Sequence, residues 1–309
     1  SDLLKICLSR VYFKNIQINN EMTSSTKTLP NFFSQYFTTE DIPPIIKYVA
    51  VRGVVPGWVP LPGQGKMQFR IKRQQEIIDK FIHSYRDDPT DEYCLLNMMM
   101  QAVDEETNQG MTNKELFNEI MSLMVAGFEG GGVLLTWLFH ILSSEPDVLD
   151  KLVEEVNTVI GSRPPTLQDY RKLTYCRQTV QEVIRYRAVV PVAVRQSVAA
   201  DTFGDVTVPP NELFIIWFNG VHHNANVWDK PEVFDPDRFS PDNKNGRSEF
   251  AYSPSVCIGD EFTLMEGILA LAMILQKYRI KVLPDQEIDA EMLLVINPAQ
   301  PINVKIEHA

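Results

Sequence analysis

The sequence predicts a mainly α-helical protein with small β-sheets, an α+β chain whose strands gather in the last third. Three observations predict it. Apolar residues recur at helical spacing over much of the first 186 residues, and the longest such run starts at Thr112. After Pro191 the period changes, with Val192, Val194 and Val198 set among smaller or polar residues. The composition, 44% hydrophobic and 22% charged over 309 residues, is that of a globular chain with room for one large domain or two ordinary ones.

Residues 1–57 read as an N-terminal helical segment. A short amphipathic helix is expected over 3–12, a loop over 24–28, and a helix over 45–51 after Pro43 and Pro44. Pro56, Gly57, Pro60, Pro62 and Gly63 form a connector, and residues 58–309 read as the main domain. Residues 66–85 are helical in pattern, with Phe69, Ile77, Ile78, Phe81 and Ile82 apolar; Asp87, Asp88 and Pro89 end the run. The next helix opens on a capping box, Thr112 with Glu115, and runs to near Ser143, about 45 Å at the usual rise. It is apolar nearly all round, as a helix through a core is. It also carries Gly127 and Gly130-Gly131-Gly132 around Glu129, and each helical glycine costs about 1 kcal/mol. Two readings stay open: a kink with a paired acid, or a groove where a flat ligand lies against bare backbone beside an acid that handles protons.

A helix with Pro146 in its first turn stops at Gly161. Thr166 with Asp169 opens a short helix, and another covers 174–186. The β-like run 213–218 follows, with turns at Gly204-Asp205 and at Pro209-Pro210-Asn211. Residues 227–239 are a Pro- and Asp-rich meander. Cys257 and Gly259 then lead an apolar helix, 262–274, extending to about Tyr278; the tail, 293–306, reads as two short strands around Pro298 and Pro301.

The net charge is −11 with no long basic run, which argues for no nucleic acid partner. Cys7, Cys94, Cys176 and Cys257 are scattered without metal-finger spacing, so reduced thiols are expected. No stretch is expected to reach transmembrane length, and the first residues show no signal-peptide pattern, so the chain reads as cytoplasmic or membrane-peripheral with no compartment assigned. There is no Gly-rich dinucleotide fingerprint, Walker-type loop or nucleophile elbow. His222 and His223 are adjacent and point apart on a strand, a poor metal pair.

Cys257 is the residue around which the rest is arranged. A thiol just before a helix feels the positive end of its dipole and nearby free N–H groups, which favours the thiolate, a group that haem iron takes as an axial ligand. Glu182 and Arg185 stand one helical turn apart, and Arg238 lies in the Pro-braced run Phe234-Asp235-Pro236-Asp237-Arg238-Phe239; the three can join as a buried triad.

The ordered set is specific: Ala126-Gly127-Phe128-Glu129 in a long helix, then Glu-x-x-Arg, then Pro-x-Arg-Phe, then Cys-x-Gly heading a helix. It resembles the cytochrome P-450 family of haem-thiolate monooxygenases, from about Trp58 to the C-terminus, and so the C-terminal two-thirds of that fold. The resemblance implies heme (iron protoporphyrin IX) as cofactor, with Cys257 as the iron's axial ligand. It implies that N–H groups around Ile258 and Gly259 solvate the sulfur and that Phe250 packs near it. Glu182, Arg185 and Arg238 would brace the meander, Arg195 would meet a haem propionate, and Ala126, Gly127 and Glu129 would lie over the distal face, Glu129 with a catalytic role. Val190, Pro191, Val192 and Val194, with Ile296 and Asn297, would line the substrate side. An apolar small-molecule substrate and an electron-donating reductase, ferredoxin- or flavoprotein-type, are implied with them.

Three departures accompany the resemblance. The family's loop reads Phe-x-x-Gly-x-Arg-x-Cys-x-Gly; here Ser253 and Ser255 replace the glycine and the arginine, or else residues are deleted after Tyr252. Gly130 stands where the family has a threonine, halving the acid–alcohol pair that moves protons to the oxygen site. The N-terminal third of the fold is expected to be missing, leaving the 213–218 strand with an open edge. Three functions follow. One is a monooxygenase inserting one oxygen atom of O2 into an apolar organic substrate. Another is a haem-thiolate isomerase or dehydratase of oxygenated lipids, and the third a haem-free remnant acting by interaction.

Overall fold

The structure, a computed structural model, describes residues 16–18, 42–87, 95–243, 257–292 and 295–309. The helix and loop expected over 3–12 and 24–28 lie outside these residues. Contacts divide the chain into two compact units, Thr26–Phe128 and Ser1–Ser25 with Glu129–Ala309.

Strand β1 (Ile16–Ile18) belongs to the second unit. In the first unit, α1 (Ile42–Val54) begins with Pro43 and Pro44, where a missing N–H costs no hydrogen bond. α2 (Gln64–Asp87) follows the Pro/Gly connector, and Gly63, at φ +76°, makes the turn into it. The short α3 (Leu95–Gln101) was not expected from sequence. α4 (Asn113–Leu142) starts as anticipated: Thr112 N–H donates to Glu115 Oε2 at 2.8 Å and Glu115 N–H donates to Thr112 Oγ1 at 3.3 Å. Ile78 and Ile82 of α2 pack with Leu116 and Ile120 of α4.

Contrary to the expectation that no stretch reaches transmembrane length, α4 is long and apolar enough to cross a membrane by length and composition. Its glycines and Glu129 interrupt the apolar run without shortening the helix. Of its most apolar stretch, 59% is buried inside the protein, as in a core helix.

The second unit is built around the second half of α4, α5 (Pro146–Val159), α6 (Leu167–Tyr170) and α7 (Thr174–Tyr186). A ribbon pairs β2 (Val192–Gln196) with β5 (Leu213–Trp217), antiparallel, and a hairpin pairs β3 (Asp201–Phe203) with β4 (Val206–Val208). The short α8 (Phe218–His222) leads into the meander, which ends in a 3-10 turn, Pro236–Phe239. α9 (Asp260–Leu275) is followed by β6 (Tyr278–Val282), β7 (Ala290–Met292), β8 (Ile296–Pro298) and β9 (Ile302–His308).

α9 stops at Leu275, short of the expected end near Tyr278, and Tyr278–Val282 form a strand for which the sequence gives no separate expectation. The alternation of Tyr278, Ile280 and Val282 with Arg279 and Lys281 has period two, and β6 pairs antiparallel with β9. β1 pairs parallel with the start of β9, giving the order β1-β9-β6. Ile280, Ile302 and Val304 enter the core, while Lys281 and Lys305 pair with Glu307 on the outside and hold its carboxyl down to about 2.

α9 is the centre of this core. Leu264, Ile268, Leu271, Ala272 and Leu275 are buried against α4, α5 and α7. Gly267 allows the close approach: a Cβ there would stand 3.0 Å from Leu134 and 3.4 Å from Val180. Trp137 is sealed in the same core, its Nε1 donating to the Ile296 carbonyl at 2.7 Å.

Candidate functional site

The triad is a buried knot. Glu182 and Arg185 are wholly buried, and Arg238 is nearly so. Arg185 Nε donates to Glu182 Oε2 at 2.7 Å and Nη2 to Oε1 at 2.8 Å, the planar fork meeting the carboxylate in parallel. Arg238 Nε reaches Glu182 Oε1 at 3.4 Å, and the Asp235 N–H donates to the same oxygen at 2.9 Å. The remaining guanidinium hydrogens go to backbone carbonyls. Arg185 Nη1 donates to His222 and Pro231, at 2.8 and 2.9 Å; Arg238 donates to Asp229, to Lys230 at 2.7 Å and to Val233 at 3.1 Å. The meander is therefore wrapped around two cations, to which it offers its carbonyl oxygens. Burial pushes the Glu182 carboxyl up, against the pull of Arg185, the Asp235 N–H and Arg238.

His222 and Trp228 close the knot. Their rings meet edge to face at 6.2 Å, and Arg185 stacks over the indole at 5.4 Å. Burial, with the charges of Arg185 and His223, pushes the His222 imidazole down to about 4.

Cys257 is an exposed free thiol at the head of α9. Gly259 is the helix N-cap, at φ −90°, and a Cβ on it would lie 3.8 Å from Cys257 Sγ, so the sulfur sits beside the first turn. Asp260 and Glu261 occupy that turn. Glu261 accepts the Tyr170 hydroxyl at 2.5 Å and faces Arg177 at 3.6 Å, and both partners hold its carboxyl down. Ile258 is exposed. Phe250, Ser253 and Ser255 lie outside the described residues.

Arg195 is on β2, exposed, opposite Phe214, with Nη1 donating to the Val194 carbonyl at 2.9 Å. Val192 and Trp217 are register partners, as are Val194 and Ile215; Val194, Ile215 and Trp217 leave an apolar, exposed face on the ribbon. Ile296 N–H donates to the Val189 carbonyl at 3.1 Å, and the Ile296 carbonyl takes the Trp137 N–H. The tail strand is thus tied both to the segment leading into β2 and to α4. Glu129 and Gly130 are half-buried on α4; Ala126 and Gly127 are exposed and belong to the other unit. A Cβ at Gly127 or Gly130 would meet nothing within 4 Å. Thr136, by contrast, is buried with its hydroxyl donating back to the Gly132 carbonyl at 2.7 Å.

The structure brings Glu182, Arg185 and Arg238 into contact and sets Cys257 and Gly259 together at the head of α9. Sequence reasoning missed the Tyr170–Glu261–Arg177 cluster and the Trp137–Ile296 tie. Tyr170 and Glu261 are 91 residues apart and Trp137 and Ile296 are 159 apart, so no local spacing announces either contact. Among the described residues no group of three or more His, Cys, Asp or Glu side chains is arranged to hold a metal ion.

Comparisons with known proteins bear on the family and the fold. The cytochrome P-450 family model matches residues 17–306. Protein LUTEIN DEFICIENT 5, chloroplastic, of Arabidopsis thaliana is 34% identical over 182 residues, 56% of this chain and 31% of that protein. Cyclooctat-9-en-7-ol 5-monooxygenase of Streptomyces melanosporofaciens is 28% identical over 231 residues, 73% of this chain and 50% of that protein. The solved structure of a retinoic acid-bound cyanobacterial protein, CYP120A1, superposes with a TM-score of 0.80 at 24% identity, covering 91% of this chain and 63% of that one. The chain spans half or less of the length of these two curated relatives. Its mainly helical fold with small sheets is that of the solved structure, and the chain belongs to the cytochrome P450 family.

Proposed function

We propose that this chain is the thiolate-bearing part of a haem-dependent monooxygenase that inserts one oxygen atom of O2 into an apolar organic substrate. Members of the family bind haem, and several relatives are monooxygenases. The observation that carries the reading is Cys257, a free, exposed thiol beside the first turn of α9.

The described residues fit a haem-thiolate site. The Cys257 sulfur is accessible, Gly130 leaves open space along α4, and the β2–β5 ribbon offers an exposed apolar face. Haem bound there would supply the redox chemistry by which oxygen is activated, with the thiolate donating electron density. The rest falls to the chain. Cys257 would ligate the iron, and the N–H groups of the first turn of α9 would hold the sulfur in its thiolate form. The Tyr170 hydroxyl and Arg177 draw the Glu261 charge to themselves, which limits its repulsion of that thiolate.

The triad fixes the meander by its carbonyls, and Arg195 would meet a propionate. Val190, Val192 and Val194, with the tail at Ile296 and Asn297, would present the apolar surface against which a substrate lies. Glu129 would take part in proton supply, and Gly130 leaves no hydroxyl beside it. Electrons would come from a reductase, ferredoxin- or flavoprotein-type, and a substrate of mostly hydrocarbon character suits the valine- and isoleucine-rich face.

The test is an absorption spectrum of the purified chain with added haem, reduced under carbon monoxide. A red-shifted Soret band that is lost in Cys257→Ser and kept in Cys94→Ser is the expected result. An unshifted band, or equal spectra in the two variants, would remove the thiolate assignment.

A further inference from the structure

We propose that Met99, Met100, Met111 and Met121 form a redox-sensitive modification site: hydrogen peroxide converts their thioethers to sulfoxides, and the unit Thr26–Phe128 loosens as it does so. The site lies apart from Cys257, and the reaction needs no haem.

The first observation is where the sulfur is. Seven of the eleven methionines in the chain lie between Lys66 and Val125. The core of Glu129–Ala309 differs: among its described residues no methionine is fully buried in the apolar cluster, and only Met265 packs against it.

The second observation is what the sulfur packs against. The described core of the smaller unit is Ile78, Ile82, Leu116 and Ile120, and Met99, Met100, Met111 and Met121 are packed around it with Phe117. Four of its five surrounding side chains are thus thioethers. Each of the four is half-buried, so it serves the core and keeps part of its surface in solvent, within reach of a solute as small as peroxide.

The third observation is what those side chains hold in place. α3 has seven residues, too few to stand as a helix without packing, and Met99 and Met100 supply its contact with the core. Met111 directly follows the bridge between Val103 and Gly110 and directly precedes the Thr112 cap of α4. The thioethers therefore anchor α3 and the entry to α4.

A thioether packs well because it is soft, flexible and apolar. In the reaction the sulfur lone pair takes one peroxide oxygen. The O–O bond breaks, the S–O bond forms, and the second oxygen leaves as water with both hydrogens. Sulfur is oxidised by two electrons and the peroxide is reduced. The sulfoxide is polar and needs a hydrogen-bond donor, which an aliphatic core does not offer. Where the chain carries haem, electrons lost at the oxygen site would make peroxide in place, a source that rests on the proposed function. Added peroxide replaces that source in the test, so the two readings fail separately.

Peroxide treatment of the full chain, followed over time by peptide mass spectrometry and limited proteolysis, tests this. The four methionines should gain oxygen at a rate within about tenfold of that of Met292, which is 58% exposed on β7. Cleavage within 42–128 should quicken about fivefold or more as they do, while 129–309 keeps its resistance. Methionine sulfoxide reductases A and B with dithiothreitol should restore resistance. Dithiothreitol alone, which reduces oxidised Cys94 or Cys257, should not. Replacing all four by leucine keeps volume and apolarity, so that variant should fold and lose the response to peroxide. The wild-type time course and its reversal stand without the variant. Sulfoxides confined to Met98 and Met292, or four sulfoxides with unchanged cleavage, would overturn the proposal. So would an equal response to peroxide in the folded leucine variant.

Discussion

Glu182 accepts hydrogen bonds from Arg185, Arg238 and the Asp235 backbone at once, so replacing it leaves two buried cations facing one another. Glu182→Ala should cost about 3–5 kcal/mol, read as a drop in urea midpoint. Arg185→Lys should lose much of the same stability, because an ammonium keeps the charge but not the planar fork. His222 gives the residue-scale pH dependence. Its folded value is pushed down to about 4, while the unfolded imidazole titrates near 6.5. Stability from this group is complete above about pH 6.5 and is lost as pH falls through 6.5 toward 4, up to about 3 kcal/mol. Urea unfolding at stepped pH should show that slope, and His222→Gln should flatten it. Gly130→Thr enters open space on α4, so it should fold normally and, in the haem-loaded chain, lower the fraction of electrons released as peroxide.

α9 depends on a side chain that is absent. A methyl group at Gly267 would press on Leu134 and Val180, at 3.0 and 3.4 Å, where two helices meet. The gain in helix propensity from Gly267→Ala, about 1 kcal/mol, acts against this overpacking, which costs about 1–3 kcal/mol. A net loss near 1 kcal/mol is expected, measurable as a lower melting temperature. The start of α6 is held by charge instead: Arg163 forks onto Asp169 at 2.6 and 2.7 Å while Asp169 also takes the Thr166 N–H. These partners hold the Asp169 carboxyl well below its usual range, so the cap persists until the pH falls well below 4.

Across the molecule the two units differ in their cores. The unit of Glu129–Ala309 gathers the second half of α4, α5, α7, α9 and strands β6, β8 and β9 into one continuous apolar cluster. The described core of Thr26–Phe128 is small, built on Ile78, Ile82, Leu116 and Ile120. Local opening follows buried apolar contact, so amide hydrogen exchange should be slowest in α7 and α9 and faster by orders of magnitude in α2. Equal protection in α2 and α9 would contradict that ordering. The acidic balance of the whole chain also conceals the basic stretch from Lys47 to Arg73, which net charge alone would not reveal.

The helical class, most helix boundaries and the small sheets were legible because each rests on local spacing: Thr112 with Glu115, Pro146, Thr166 with Asp169, and the period change after Pro191. Family membership was legible because the motifs stand in a fixed order along the chain. The pairing of Glu182 with Arg185 followed from one helical turn, and the place of Cys257 at the head of α9 from a cysteine next to an apolar helix; the exposure of its thiol did not. Only the tertiary structure decided the rest. Tyr170 meets Glu261, Trp137 meets Ile296, and β1 pairs with β9 across chain separations that no periodicity encodes. β6 was hidden because a five-residue strand directly after an apolar helix continues its hydrophobicity and differs only in period. A local pattern reports what one element can bury, whereas partners distant in the chain are chosen by how those elements pack.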